Sequence, residues 1–155
     1  MDFEISALEK DEFSHLFGLD DETLAKHGAR RMKVDSNPGY PCRVTLKDAE
    51  IGETVLLLNY EHLAVDTAYR SSHAIFVREG ASTRSPIVNQ IPDQLKSRLL
   101  SIRAFDADGM MVDADVVDGT ECEPLIQRML GNQRVDYLHI HNARRWCYAA
   151  RVDRV

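Results

Sequence analysis

Two histidines near the end of the chain have a spacing that suits metal binding or proton transfer. His139 and His141 alternate with apolar residues in a segment that predicts a β-strand. Because side chains two apart on a strand share a face, both imidazoles are expected on one side, about 7 Å apart. Such a pair supplies two ligands of a divalent-metal site, or a general base beside an aromatic wall. The local sequence offers no third ligand, but His62 or His73 supplies one if its strand is a neighbour.

The C-terminal segment is predicted as a β-hairpin that places further groups next to these histidines. A loop over residues 142–145 pairs His141 with Trp146. The same register pairs His139 with Tyr148. One face then carries these four side chains, and the opposite face is an apolar core face that contains Cys147. Imidazole, phenol and guanidinium groups together favour a small anionic ligand, and the predicted ligand-binding residues are His139, His141, Asn142, Arg144, Arg145 and Tyr148.

The cysteines offer a second kind of chemistry. Cys42, Cys122 and Cys147 lie far apart, without the spacing of a zinc knuckle or a redox motif. Cys42 follows a loop rich in proline and glycine, and it is a candidate nucleophile if a histidine lies beside it. Burial as a small apolar side chain is the alternative. The candidate catalytic residues are therefore Cys42, His139 and His141.

The whole chain predicts an α+β fold with a mainly antiparallel sheet. The hydrophobic pattern indicates about seven strands, grouped in hairpins, and about four short helices. Residues 43–46 and the apolar segment 54–60 are among the predicted strands. The length of 155 residues and the absence of a linker or repeat predict a single domain over residues 1–155.

One internal hairpin can be predicted in detail. A three-residue loop over 107–109, with Gly109 at positive φ, places the apolar residues of both strands on one face. The same register sets Arg103 opposite Asp113, which is a favourable cross-strand ion pair. The aspartates of the turn fail the spacing of a calcium-binding EF-hand loop.

Charge and composition limit the partners. The net charge of −6 disfavours nucleic acids and anionic membranes. No apolar run is long enough for a transmembrane helix, and the acidic first ten residues are unlike a signal peptide. Three cysteines without an export signal predict reduced thiols in the cytoplasm. Residues 104–124 hold seven acidic and no basic side chains, a candidate contact for another protein. Homo-oligomer formation stays open.

Four separated segments carry a family resemblance. They are residues 39–44, 52–62, 75–80 and 139–144 with Cys147, and they occur in one order along nearly the whole chain. In these segments the chain resembles a bacterial family catalogued as domain of unknown function 1203. The resemblance implies a bacterial, cytoplasmic protein and no assigned activity, so it assigns no catalytic residue. Trp146 stands where similar sequences have glycine.

Three functions are consistent with the sequence. The first is binding of a small anionic ligand near the C-terminal hairpin, without turnover. The second is an enzyme, either metal-dependent through His139 and His141 or using Cys42 with a histidine. The third is a protein-interaction module that uses an exposed hairpin edge or the acidic stretch. The sequence identifies no cofactor. It is consistent with none and with a divalent metal ion.

Overall fold

Nine strands and three short helices position the candidate residues in the computed structural model, which describes residues 1–155. The helices are α1 (Asp21–Lys26), α2 (Asp93–Lys96) and α3 (Cys122–Leu130), and no helix is long and apolar enough to cross a membrane. The strands are β1 (Phe3–Ser6), β2 (Arg30–Lys33), β3 (Thr54–Leu63), β4 (Ser71–Arg78), β5 (Ile87–Val88), β6 (Leu99–Phe105), β7 (Met111–Asp118), β8 (Tyr137–Asn142) and β9 (Tyr148–Arg154).

The strands form two antiparallel sheets. The larger sheet has the order β5-β1-β9-β8-β6-β7, and the smaller has the order β2-β3-β4. Every named strand pair is antiparallel. The predicted α+β class with mainly antiparallel pairing is therefore confirmed.

Two apolar cores fix the faces of these sheets. Helix α3 begins after Asp118 and Thr120 and ends at Gly131, and it packs Ile126 and Met129 against the six-stranded sheet. Leu138 and Ile140 of β8 point into the same core. Because side chains alternate on a strand, the histidines of β8 face away from α3. The second core lies under the three-stranded sheet and includes Leu56 and Ile75.

The C-terminal hairpin has a different register from the predicted one. His141 pairs with Tyr148 and His139 with Arg151, and the register shifts between Ile140 and His141. The predicted pairs of His141 with Trp146 and of His139 with Tyr148 are wrong. The connection is wider because the N–H of Trp146 donates to the carbonyl of Asn142 at 2.7 Å, which makes a five-residue turn.

The register of the internal hairpin also differs from the predicted one. Gly109 has a φ of 81°, as the turn requires. Phe105 pairs with Met111 as predicted, but a bulge then shifts the register by one residue, so Arg103 pairs with Ala114. The predicted ion pair of Arg103 with Asp113 is wrong, and the Asp113 carboxylate accepts instead from Arg128 at 2.9 Å.

Residues 43–46, predicted as a strand, form a turn. Arg43 is 1% exposed, and its side chain runs inward to the backbone of β9. Leu46 has a φ of 51°, which a strand does not allow. The inward arginine and the left-handed leucine together explain why the apolar alternation here makes no strand.

Strand β7 forms one edge of the six-stranded sheet. The Asp113 carboxylate accepts from the N–H of Ala114 at 2.8 Å, and the Asp115 carboxylate accepts from the N–H of Val116 at 2.8 Å. Two backbone donors of the edge therefore have partners within the strand itself.

Candidate metal centre

Four histidines from the two sheets meet in one cluster, which we call the histidine cluster. His62 and His73 come from β3 and β4 of the smaller sheet, and His139 and His141 come from β8 of the larger one. The ring centroid of His62 lies 4.8 Å from that of His141 and 5.7 Å from that of His139. The strands of His62 and His73 are thus neighbours of the C-terminal hairpin in space.

A bulge on β3 shapes this arrangement. Tyr60 pairs with His73, and the register shifts between Glu61 and Leu63, so that His62 has no partner on β4. The His62 ring then reaches across, and its Nε2 lies 2.7 Å from Nδ1 of His73, a hydrogen bond between the two imidazoles. The local irregularity brings two side chains from different strands to one point.

Three of the four histidines can hold one metal ion. His62, His73 and His141 each offer a ring nitrogen, and these nitrogens all lie within 4.8 Å of one another. Ligand nitrogens of a tetrahedral zinc ion are separated by about 3.3 Å, given bonds of about 2.0–2.1 Å. The 2.7 Å contact of His62 with His73 therefore has to open slightly for an ion to enter. His139, predicted as one half of the metal pair, lies outside this set of three.

The backbone orients the most buried ligand. Nδ1 of His141 donates to the carbonyl of Trp146 at 3.0 Å, which leaves the lone pair on Nε2. That Nε2 is buried and has no hydrogen-bond partner. An imidazole held by a backbone carbonyl and offering its other nitrogen is the usual form of a metal ligand.

The cluster holds unusually many buried atoms without partners. Of six such side-chain atoms in the protein, three are ring nitrogens of His62, His139 and His141. Leaving a buried polar atom unsatisfied costs roughly 1–3 kcal/mol each. A fold that keeps three such atoms in one place is typical of a functional site rather than of a plain core.

The four histidines of the histidine cluster are neutral in the folded protein at neutral pH. Burial, with a smaller contribution from neighbouring positive charge, lowers the pKa of His62 to about 4, of His139 to about 3 and of His141 to about 2. Burial also lowers the pKa of His73, and Arg103 adds to this. Metal ions bind only the unprotonated imidazole, so these low values leave the lone pairs available at neutral pH.

Aromatic rings close one side of the cluster. Tyr148 stacks on His62 with a centroid distance of 5.2 Å and an angle of 10° between the rings. Phe105 and Tyr137 flank His139 at 5.4 Å and 5.2 Å. The predicted position of Tyr148 beside the histidines agrees with this wall. Trp146, predicted in the same wall, is 65% exposed and lies outside it.

Arg103 adds a positive charge without a counter-ion. It lies directly across from His139 on the neighbouring strand and is half-buried. It makes no ion pair, and its single side-chain hydrogen bond is to Oγ of Ser101 at 3.5 Å. From this position beside His139, its charge helps to lower the pKa of all four histidines. Sequence reasoning missed this residue because the predicted register paired it with Asp113.

The remaining predicted ligand-binding residues lie at a different place. Asn142, Arg144 and Arg145 line an open cleft with a volume of about 1160 Å³, which we call the basic cleft. His73 also lines it, so the basic cleft reaches the edge of the histidine cluster. The structure thus divides the six predicted ligand-binding residues between two neighbouring sites.

Cys42 and Cys147 lie in different surroundings. Cys42 is fully buried, and its Sγ accepts from the backbone N–H of Arg78 at 3.2 Å rather than from an imidazole. Cys147, predicted in the apolar core, is partly exposed and lines the basic cleft. The prediction for Cys147 is wrong because the wider turn moves it off the core face.

Trp146 has a backbone conformation that suits glycine better than tryptophan. It has a φ of 62°, a region that costs a bulky residue about 1–2 kcal/mol and costs glycine almost nothing. Because its ring is mostly exposed, Trp146→Gly loses little packing. We expect a gain of about 1 kcal/mol in the free energy of unfolding, measured by urea denaturation. Trp146→Ala is the control and should gain nothing, and equal stabilities of the two variants would contradict the explanation.

Comparisons with known proteins give the chain a family but no activity. No curated protein and no solved structure matches it. The model of one family, described as "Protein of unknown function (DUF1203)", matches residues 39–154. This stretch contains all four residues of the histidine cluster and both Arg43 and Cys147. The match covers most of the sequence, and the protein therefore belongs to the DUF1203 family, as its four sequence segments predict.

Proposed function

We propose that the protein binds one divalent transition-metal ion through His62, His73 and His141, and that this ion and Arg103 together bind a small anion. The observation that carries the proposal is the buried Nε2 of His141. It has no hydrogen-bond partner, and its ring is fixed through Nδ1 by a backbone carbonyl. Ring nitrogens of His62 and His73 complete the set within 4.8 Å.

Charge balance supports the anionic ligand. Three neutral imidazoles, a divalent ion and the guanidinium of Arg103 leave three positive charges, and none of the ligating residues is a carboxylate. Several uncompensated charges in a partly buried site are costly, so an anion is needed at the open coordination position. Three histidine ligands with one open position are typical of catalytic rather than structural zinc sites. This supports the metal-dependent enzyme as the class of function.

Metal content tests the proposal directly. Untagged protein purified without chelator should contain about one equivalent of zinc, iron or manganese, and His141→Ala and His62→Ala should each lower the content at least tenfold. His139→Ala removes a histidine of the same cluster that is not a ligand, and it should retain the metal. His27→Ala, on the surface beside His15, is the second control.

If the purified protein contains no metal, cobalt substitution shows whether the metal was lost during purification or the site does not exist. Co²⁺ bound by three imidazoles in a tetrahedral arrangement gives visible absorption bands that are far more intense, and at longer wavelength, than the weak band of octahedral Co²⁺ in water. Metal-free protein should develop these bands at one equivalent of Co²⁺, and His141→Ala should not. A wild-type protein that contains no metal and shows no such bands at a millimolar excess of Co²⁺ overturns the proposal.

Arg103 is tested through the anion. Azide or phosphate added to the Co²⁺ protein should shift the visible bands, and Arg103→Gln should weaken this binding at least tenfold without loss of the metal. Arg128→Gln, which removes a paired surface arginine, should have no effect. Equal anion affinity in the wild type and in Arg103→Gln would remove Arg103 from the site.

We also infer that the protein works in a reducing compartment, the cytoplasm of a bacterium. All three cysteines are free, which supports such a compartment. The bacterial source is implied by the family resemblance of the sequence.

A further inference from the structure

We propose that Cys147 is a nucleophilic thiolate that reacts covalently with a small anionic electrophile in the basic cleft. This site adjoins the metal centre, since His73 also lines the basic cleft, but its chemistry does not depend on the metal ion. It rests on the contacts of the sulfur, on a buried arginine, on an unpartnered amide and on the charges of the basic cleft.

The sulfur of Cys147 sits among hydrogen-bond donors. Nη2 of Arg43 lies 3.0 Å from Sγ, and Nδ2 of Asn142 lies 3.5 Å from it. Cys147 is partly exposed and lines the basic cleft, whereas Cys42 and Cys122 are fully buried. Of the three cysteines, only Cys147 is both accessible and surrounded by donors.

Arg43 needs a negative charge beside it. Its guanidinium is fully buried, and its other nitrogens donate to the backbone carbonyls of Tyr148, at 2.7 Å, and of Pro41. Neither carbonyl carries a net charge, and Arg43 makes no ion pair with a carboxylate. A buried charge without a counter-ion costs several kcal/mol. Among the hydrogen-bond partners of Arg43, Cys147 is the one that can be ionised, so a thiolate balances the guanidinium.

Asn142 gives an independent sign of a ligand. Its side chain is only 9% exposed and lines the basic cleft, and its Oδ1 has no hydrogen-bond partner. The amide is fixed by its other end, because Nδ2 donates to Cys147. A buried acceptor held beside the sulfur is placed to bind an O–H or N–H group of a molecule that approaches the thiolate.

The charges of the basic cleft select the substrate class. Lys96, Arg144 and Arg145 line it and form no ion pair, while Arg98 is already paired with Asp48. Asp118 is the single acidic residue in the lining. Three free cations in the lining of the cleft that Cys147 also lines favour a small carboxylate or phosphate compound that also carries an electrophilic carbon.

The covalent step is a simple displacement. The lone pair of the Cys147 sulfur forms a bond to the electrophilic carbon, and the leaving group departs with the electron pair of the broken bond. The guanidinium of Arg43 keeps its protons throughout. No oxidant or reductant is consumed, and the anionic group of the substrate stays with the cations of the basic cleft.

Alkylation of the cysteines tests the inference. Iodoacetate is a small anionic electrophile and iodoacetamide is its neutral counterpart; both release iodide. Rates at each cysteine are measured by peptide mass spectrometry at pH 7, in the folded protein and in urea. We expect Cys147 to react at least tenfold faster in the folded protein, although it is less exposed there. Cys42 and Cys122 should stay unlabelled until urea is added.

The ratio of the two reagents tests the substrate class. At Cys147, the ratio of the iodoacetate rate to the iodoacetamide rate should be at least fivefold higher in the folded protein than in the unfolded chain. Replacing Arg144 and Arg145 by glutamine should abolish this gain and leave the iodoacetamide rate unchanged. Arg134→Gln, an exposed arginine elsewhere, is the matched control and should keep the gain.

Three results would overturn the inference. A slower reaction of Cys147 in the folded protein would show that the thiol is merely sheltered. An unchanged reagent ratio would remove the anionic substrate class. A rate that falls when a chelator removes metal would assign the reactivity to the metal centre and not to Arg43 and Asn142.

Discussion

The metal-free protein is expected to lose about 3 kcal/mol of stability between pH 6.5 and pH 5 from His139 and His141 alone. Burial lowers the pKa of both side chains, to about 3 and about 2, while in the unfolded chain it is about 6.5. Over this range the unfolded state takes up protons that the native state cannot accept. Each histidine removes about 0.7 kcal/mol per pH unit at pH 6.5, and the slope approaches about 1.4 kcal/mol per unit below about pH 5.5, where the unfolded side chain is almost fully protonated. This loss is a large part of the 5–15 kcal/mol typical of a domain.

Urea denaturation in the presence of a chelator, from pH 8 to pH 5, measures this dependence. His139→Leu removes one titrating group and puts an apolar side chain of similar size in its place. Below about pH 5.5 the slope of stability against pH should fall by about 1.4 kcal/mol per unit in this variant, and near pH 8 it should not change. A wild-type protein whose stability is flat between pH 7 and pH 5 would show that these histidines are solvated.

Replacing Gly119 by alanine is expected to cost at least 3 kcal/mol. A Cβ at this position would lie 2.0 Å from the carbonyl oxygen of Leu95 and 2.8 Å from that of Arg98. Both are backbone atoms of α2 and the residues after it, so no side chain can turn away to relieve the overlap. The N–H of Gly119 also donates to the Arg98 carbonyl at 2.8 Å, and this bond would be lost as the segments separate.

Thermal denaturation should show this as a fall of roughly 6–12 °C in the unfolding midpoint. Gly131→Ala is the matched control, because its nearest contacts are at 3.3 Å and its backbone is helical. Its change should stay within about 1 kcal/mol. Since Lys96 and Arg98 line the basic cleft next to this contact, Gly119→Ala should also slow the labelling of Cys147 by iodoacetate. Equal midpoints for the two variants would contradict the close approach.

Local pattern predicts the elements well and their registers poorly. The turn at Gly109 and the alternation of the flanking strands follow from the residues themselves. The bulge that moves Arg103 away from Asp113 does not, and the one-residue shift sets Asp113 and Asp115, rather than the apolar residues beside them, opposite Ala104 and Ile102. The consequence for function is large, because the shift leaves Arg103 unpaired beside the histidine cluster.

The candidate site depends on contacts that no local pattern contains. The His-x-His spacing on β8 identifies two side chains of one face, but His62 and His73 are more than sixty residues away in the sequence. Their approach depends on how the two sheets pack. The burial of Arg43 is equally hidden, because arginine is among the residues least often found inside a protein. Residues 43–46 were predicted as a strand from Val44 and Leu46, which are indeed buried, although in a turn.

The aspartates of β7 have a consequence for solubility. An edge strand with free N–H groups is a template on which a second chain can add a strand and begin an aggregate. On β7 the N–H groups of Ala114 and Val116 are occupied by Asp113 and Asp115. A second chain that approaches β7 therefore meets negative charge and fewer free N–H groups. The acidic stretch thus acts against growth of the larger sheet at β7, one of its two edges.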